Sequence, residues 1–232
     1  MDSVTLEQSV VDYLYLVGHA DSATRIYAWD ILRSNLNNHP DKTVTDYLGE
    51  PDSPLYSPPM LEEYLECLIR SLPPDNLSHM RAEYLLANIR KNKPGGIISD
   101  IRLKTGRRDC NTTLHELIAE CDKDCIVLFY DPGCMACDEL IDRLSMMRSY
   151  QYRIIAISIT DKAKIFNDDW ISARVLNEDE LDENFYLPSL PRMYLTTSTG
   201  VIIPTDCATV PSGALELGGR HAGEMLEVFP ER

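Results

Sequence analysis

Long apolar runs and clusters of basic residues are both missing from this sequence. No run of about 18 apolar residues occurs, so a membrane-spanning helix is not predicted. The 22 lysines and arginines are outnumbered by 37 aspartates and glutamates, and the formal net charge is −15. Binding to nucleic acid or to anionic lipid depends on clustered basic residues, so neither is expected. The residues after Met1 lack the basic and apolar regions of a signal peptide, so none is expected in this chain.

The cysteine and histidine content argues against a disulfide scaffold and against a metal-binding protein. Seven cysteines in 232 residues are an odd number, which does not suit a scaffold held by disulfides. Only Cys134 and Cys137 have a spacing that is meaningful by itself, and the other cysteines are interpreted as small core residues. The five histidines are scattered without a repeated spacing, and His115 is expected at the surface or in a cap. No metal site is therefore predicted.

The first part of the chain is predicted to be an all-α domain, residues 1–93. Apolar residues recur at steps of three and four, as in an amphipathic helix, and a connection with four prolines spans residues 51–59. No strand is predicted before Lys93. The expected helices cover Leu6–Val17, Ser22–Leu36, Val44–Leu48, Met60–Leu72 and Ser78–Asn92.

The pattern changes at Lys93–Gly96, and a second domain, residues 94–232, is predicted to begin there. A short helix is expected at Asn111–Glu120, and the acidic segment Glu178–Glu183 is interpreted as a solvated loop. Strands that alternate with helices and end in a hairpin predict an α/β sheet. The expected strands are Ile97–Leu103, Cys125–Tyr130, Arg153–Ile159, and the hairpin Arg192–Leu195 with Val201–Ile203.

The motif Cys134–Cys137 is the strongest candidate for chemistry. It follows the buried strand and opens a helix whose inner face carries Leu140, Ile141 and Leu144. The N-terminus of a helix stabilises an anion, so it favours the thiolate of Cys134. Cys137 is within disulfide range and less exposed, so one sulfur attacks and the other resolves the mixed disulfide.

Two other interpretations of this motif were weighed. Zinc ribbons also use two cysteines at this spacing, but they need a second pair. Cys121 and Cys125 make a poor second pair, because Cys125 begins a buried strand whereas Cys121 precedes it. A purely structural motif is the other alternative.

The sequence resembles the thioredoxin superfamily, particularly its TlpA-like extracytoplasmic branch. The resemblance covers about Gly96 to Phe229 and depends on three segments in order: Val127–Cys137, Ile157–Asp161 and Leu190–Leu195. It implies a thioredoxin-like mixed sheet flanked by helices. It also implies a cis-proline at Pro191 beside the disulfide, with Leu190, Pro191 and Arg192 binding an extended substrate segment.

The whole chain is also similar to secreted proteins of the Bacteroidetes type, which join a helical domain of unknown function to a thioredoxin-like domain. Met60–Glu66, Arg81–Tyr84 and Asn92–Ile97 carry this similarity. It implies an extracytoplasmic location, either in the periplasm or lipid-anchored at the cell envelope, with the leader absent from this chain.

The sequence departs from the thioredoxin pattern near the motif. Leu128 stands where thioredoxin has a buried aspartate that serves as a proton acceptor, and Gly133 replaces an aromatic residue. Asp131, Asp138 and Glu139 surround Cys134 with negative charge, for which Arg192 is a candidate counter-charge. These differences leave the direction of electron flow open.

The leading hypothesis is a thiol–disulfide oxidoreductase that exchanges disulfides with partner proteins through Cys134 and Cys137. It requires no metal or organic cofactor, but it requires a redox partner that recycles the pair. The alternative is a non-catalytic thioredoxin-like scaffold or protein-binding module, because fold does not guarantee activity. An active pair should have a reduction potential of roughly −270 to −120 mV.

Overall fold

The computed structural model of the chain describes residues 3–35, 42–50, 53–106, 110–146, 152–166 and 170–204. The chain divides into two compact units, Met1–Arg90 and Lys91–Arg232. The helices described in the first unit are α1 (Ser3–Gly18), α2 (Ser22–Asn35), α3 (Lys42–Gly49), α4 (Pro58–Ser71) and α5 (Leu77–Ile89). The expected all-α N-terminal domain is therefore confirmed.

The helices of the first unit bury their apolar stripes in one core. Trp29 of α2 and Tyr64 of α4 lie at its centre, with ring centroids 5.5 Å apart. At its edge, Arg25 forms a two-pronged ion pair with Glu63, which also accepts a hydrogen bond from the Trp29 indole at 3.3 Å. Two prolines begin α4, where a helix tolerates the missing N–H groups.

The second unit is built on one mixed sheet. Its strands lie in the order β2-β1-β5-β4-β3-β6. The three central neighbours β5, β4 and β3 are parallel, and the pairs β1–β5, β1–β2 and β3–β6 are antiparallel. The strands are β1 (Arg102–Thr105), β2 (Asn111–Thr113), β3 (Asp124–Tyr130), β4 (Tyr152–Ser158), β5 (Trp170–Val175) and β6 (Arg192–Thr196).

Helices cover both faces of this sheet. The helices described in the second unit are α6 (Leu114–Ala119), α7 (Met135–Met146) and α8 (Glu178–Asn184). Side chains of β3 alternate between the two faces. Those of Cys125, Val127 and Phe129 join α6 and α8 in one core, whereas those of Ile126, Leu128 and Tyr130 join α7 in the other. The expected mixed sheet flanked by helices is confirmed.

Several predicted elements were wrong in type or extent. The first strand begins only at Arg102, because Ile97 and Ile98 instead bond to the hairpin through Val201 and Gly200. The helix expected from Asn111 begins at Leu114, after the short strand β2.

The N-terminus of α6 is set by a capping box. The Thr113 hydroxyl accepts from the Glu116 N–H at 3.2 Å, and the Glu116 carboxylate accepts from the Thr113 N–H at 3.0 Å. This reciprocal pair satisfies backbone donors that the first helical turn leaves unbonded. The cap of this helix therefore lies at Thr113.

The acidic segment expected to be a loop is a helix. Helix α8 begins after Asn177, whose side chain accepts from the Asp179 N–H at 2.9 Å. Acidic residues in its first turn suit the positive end of the helix dipole. Leu181 is buried, and Glu180 is ion-paired with Arg102 of β1 at 2.8 Å. Packing and charge together thus hold this short helix on the sheet.

Candidate functional site

Cys134 lies at the N-cap of α7, in a turn that begins where β3 ends. The Asp131 carboxylate accepts from the Gly133 N–H at 2.9 Å, and the Asp131 carbonyl accepts from the Cys134 N–H at 3.1 Å. The Cys134 carbonyl accepts the first helical bond, from the Asp138 N–H at 3.1 Å. The turn therefore delivers the thiol directly to the end of the helix.

The Cys134 sulfur caps the helix. The backbone N–H of Cys137, the third residue of α7, donates to this sulfur at 3.3 Å. An N-cap serine or threonine oxygen accepts the same bond from this position. Because unpaired N–H groups and the helix dipole both favour negative charge there, the cap is a suitable place for a thiolate. Cys134 is only partly buried.

Cys137 lies behind Cys134 in the apolar core beneath α7. It is fully buried, and it shares this core with Leu128, Tyr130 and Leu140. Burial, followed by the hydrogen bond with Cys134, raises the pKa of the Cys137 thiol to about 12. Both thiols are free. The pair thus combines an accessible sulfur with a protected one that stays protonated at neutral pH.

The loop before β6 approaches the first thiol. The Cys134 sulfur lies 3.9 Å from the Leu190 carbonyl oxygen, which accepts its hydrogen bond. The Leu190–Pro191 peptide bond is cis, and Pro191 is buried. This loop, which is 56 residues from Cys134 along the chain, therefore meets the turn that joins β3 to α7.

Arg192 does not face the thiols. It pairs with Phe129 in the β3–β6 ladder, and its guanidinium carbon lies 5.5 Å from the centroid of the Tyr194 ring. Tyr194 and Phe129 both belong to the core on the opposite face of the sheet from Cys137. The geometry does not support the counter-charge suggested for Arg192, because alternation along β6 turns its side chain away from Cys134.

A lysine that the sequence did not single out lies beside the site. The Lys164 ammonium forms an ion pair with Asp138 of α7, and its backbone N–H donates to the Tyr130 hydroxyl at 2.8 Å. Burial is the main reason why the pKa of Tyr130 is raised. Lys164 and Asp138 are 26 residues apart, and no motif joins them. The ammonium of Lys164 reaches Asp138 only because the segment after β4 packs beside α7.

The buried aspartate of thioredoxin has no counterpart on β3. Leu128 is fully buried in the same core as Cys137. A carboxylate whose charge acts on the Cys137 thiol is that of Asp131, at the end of the strand. The β3 residue that shares the core with Cys137 therefore supplies no side-chain base.

No group of three or more histidine, cysteine, aspartate or glutamate side chains that could hold a metal ion occurs among the residues described. Among those same residues, no helix is long and apolar enough to span a membrane. Cys207, the seventh cysteine, lies outside the described residues.

Comparison with solved structures supports the fold. The chain is similar to the crystal structure of a thioredoxin-like protein from Bacteroides caccae, with a TM-score of 0.66 and 19% sequence identity over 90% of this chain and 81% of that chain. This likeness confirms the expected thioredoxin-like fold. No model of a protein family matches the sequence, and no curated protein matches it.

Two further structures are similar over about half of the chain. A thioredoxin domain of a thiol-disulfide oxidoreductase from Bacteroides vulgatus has a TM-score of 0.36 and 16% identity, covering 50% of this chain and 90% of its own. A thiol:disulfide interchange protein from Bacteroides sp. has a TM-score of 0.36 and 13% identity, covering 59% and 98%. Neither score is high enough to support an inference.

Proposed function

We propose that this protein is a thiol–disulfide oxidoreductase in which Cys134 is the nucleophile and Cys137 the resolving thiol. The observation that carries the proposal is the hydrogen bond from the Cys137 N–H to the Cys134 sulfur at the N-terminus of α7. This bond favours negative charge on the accessible sulfur. The buried sulfur is three residues away, within reach of a disulfide exchange.

In the reducing direction, the Cys134 thiolate attacks one sulfur of a substrate disulfide. A Cys134–substrate disulfide forms, and the second substrate sulfur leaves as a thiolate that takes up a proton. Cys137 loses its proton and attacks the Cys134 sulfur, which releases the first substrate sulfur as a thiol. The protein pair loses two electrons and two protons, and the substrate gains them. The oxidising direction is the reverse.

The raised pKa of Cys137 fits this order of events. At neutral pH the buried thiol is protonated, so it does not compete with Cys134 for the incoming disulfide. Its ionisation is needed only in the second step, and the Asp131 carboxylate at the mouth of the site is the proposed acceptor of its proton. The proposal therefore assigns distinct roles to two chemically identical side chains.

The segment of Leu190, Pro191 and Arg192, which ends on the first residue of β6, is the proposed border of the substrate groove. Support comes from the Leu190 carbonyl, which lies 3.9 Å from the attacking sulfur. An extended substrate segment placed along this loop would carry its disulfide past Cys134. The Arg192 side chain is directed to the opposite face of the sheet. Only the backbone of Arg192 is therefore proposed to border the groove.

The substrates proposed are protein disulfides or thiols, with a separate redox protein to recycle the pair. We also propose an extracytoplasmic location, in the periplasm or lipid-anchored at the cell envelope, supported by the sequence resemblance around Cys134–Cys137 and Leu190–Leu195. Fractionation of the producing cells would test this location independently of activity.

The decisive experiment measures reduction of insulin disulfides by the full chain with dithiothreitol as electron donor. Cys134→Ser should reduce the rate to that of dithiothreitol alone, whereas Cys110→Ser, which alters an exposed thiol outside the site, should retain the wild-type rate. Equal rates for wild type and Cys134→Ser, together with a reduction potential well below about −270 mV, would instead indicate a scaffold.

A further inference from the structure

A second pair of thiols lies at the opposite end of β3. Cys125 is the second residue of the strand, and Cys121 lies just beyond α6, where its N–H donates to the Ile118 carbonyl at 3.0 Å. Cys121 packs against the core that contains Cys125, and the two thiols interact side chain to side chain. Both are free. Only the turn of residues 122–124 separates them along the chain.

The two thiols have unequal environments. Cys125 is fully buried, and its sulfur lies 3.5 Å from the Lys123 carbonyl oxygen. Cys121 is only partly buried, and its sulfur lies 3.2 Å from the Leu117 carbonyl oxygen. The interaction between the two side chains is the first cause of both shifts: it lowers the pKa of Cys121 and raises that of Cys125. An accessible sulfur thus lies beside a protected one, as at the Cys134–Cys137 site.

A basic residue adjoins this pair. Arg153 of β4 pairs directly with Cys125 in the parallel ladder, so both side chains leave the same face of the sheet. Its positive charge favours the thiolate form of both cysteines. The charges of Glu120 and Asp122 raise the pKa of Cys121, but their effect is smaller than that of the interaction with Cys125.

This pair is separate from the Cys134–Cys137 site. Cys125 and Cys137 belong to cores on opposite faces of the sheet. From Cys125 to Tyr130, β3 advances roughly 16 Å, at about 3.3 Å per residue, before the turn that leads to Cys134. No direct sulfur exchange between the two pairs is therefore expected. Two thiolates also fall short of the four ligands of a structural zinc site.

We propose that Cys121 and Cys125 form a second disulfide-exchange site, at which the two thiols donate two electrons to a low-molecular-weight disulfide. The Cys121 thiolate attacks the small disulfide and releases one thiol, leaving a mixed disulfide on Cys121. Cys125 then attacks the Cys121 sulfur, and the second small thiol leaves. Two protons and two electrons pass to the small disulfide, and a Cys121–Cys125 bond remains. A small reagent is favoured because Cys121 is only partly accessible.

Trypsin can distinguish the two pairs, because Lys123 lies between Cys121 and Cys125. The full chain would be equilibrated with 2-hydroxyethyl disulfide and its thiol, quenched with acid, alkylated and digested. A Cys121–Cys125 bond joins the peptide of residues 109–123 to that of residues 124–143. A Cys134–Cys137 bond lies within the second peptide alone. Each site is therefore scored independently of the other.

The joined peptides should appear in wild type, disappear in Cys121→Ser and persist in Cys110→Ser, which removes the other cysteine of the first peptide. Fragment ions should place the bond on Cys125. The inference is overturned if Cys121 and Cys125 are both recovered alkylated, or if the bond uses Cys110. Either result leaves the function proposed for Cys134 and Cys137 intact. Loss of the Cys134–Cys137 bond alone would contradict that function and not this second site.

Discussion

The Cys137 backbone N–H donates a hydrogen bond of 3.3 Å to the Cys134 sulfur. One residue of the motif therefore holds the other at the end of α7, before any disulfide forms. This relationship gives Cys134 a role as a helix cap beside its proposed role as the nucleophile, and the two can be tested with different substitutions.

Cys134→Ser and Cys134→Ala should abolish insulin reduction equally but differ in stability. A serine oxygen can accept the Cys137 N–H, whereas alanine leaves that donor without its partner. N-cap replacement by alanine typically costs about 1 kcal/mol, and we expect the alanine variant to be less stable by that amount. Urea denaturation under reducing conditions would measure the difference. Equal stabilities would show that an acceptor for the Cys137 N–H at this position contributes nothing to stability.

The buried thiol of Cys137 should reduce stability at alkaline pH. Its pKa is raised to about 12 in the folded protein from an ordinary value near 9. The folded state then binds a proton that the unfolded state has lost, so stability falls as pH rises from about 9 to about 12. Cys137→Ala should lose less stability over this range than wild type. Cys110→Ala, which changes an exposed thiol, should follow the wild-type profile in the same denaturation series.

The Tyr130 hydroxyl should protect the Lys164 amide from exchange with solvent. Tyr130→Phe removes the acceptor at 2.8 Å, and a hydrogen bond of this kind contributes about 1 kcal/mol. Hydrogen exchange at the Lys164 amide should accelerate in the variant. The Ile159 amide, which donates to the Tyr130 backbone carbonyl, is an internal control and should exchange at an unchanged rate. Acceleration at both amides would indicate general loosening of the strand end.

Arg192 should matter for stability more than for the reactivity of Cys134. Arg192→Gln removes the cation above the Tyr194 ring, a contact worth about 0.5–1 kcal/mol at an exposed site and more when desolvated. Its guanidinium does not face Cys134, so the rate of Cys134 alkylation by iodoacetamide should not change. A clearly slower alkylation in the folded variant would restore Arg192 as a counter-charge of the thiolate.

The position of the motif could be predicted from sequence because local patterns determine it. A fully apolar strand, a turn and an amphipathic stretch follow one another without interruption from Cys125 to Leu144. Each pattern reports burial of one segment and needs no knowledge of distant partners. The start of α7 directly after Cys134 and the burial of Cys137 both follow from them.

Features that depend on distant segments could not be predicted in this way. Helix α8 has one buried residue, Leu181, among acidic neighbours, so its periodicity is too weak to identify a helix. Strand β5 was missed because Arg174 and Ser172 interrupt an otherwise apolar segment. The ion pair between Lys164 and Asp138 arises only when β4 and α7 are packed. Helix α8, strand β5 and this ion pair all depend on long-range packing, which local sequence patterns do not report.

The cap at the start of α7 stabilises the reduced and the oxidised forms of the cysteine pair to different extents. A free thiolate is a strong acceptor for the Cys137 N–H, whereas a sulfur shared in a disulfide is a weak one. The helix therefore contributes more free energy to the dithiol than to the cystine. The fold therefore favours the reduced form of the pair more strongly than an unstructured peptide of the same four residues would.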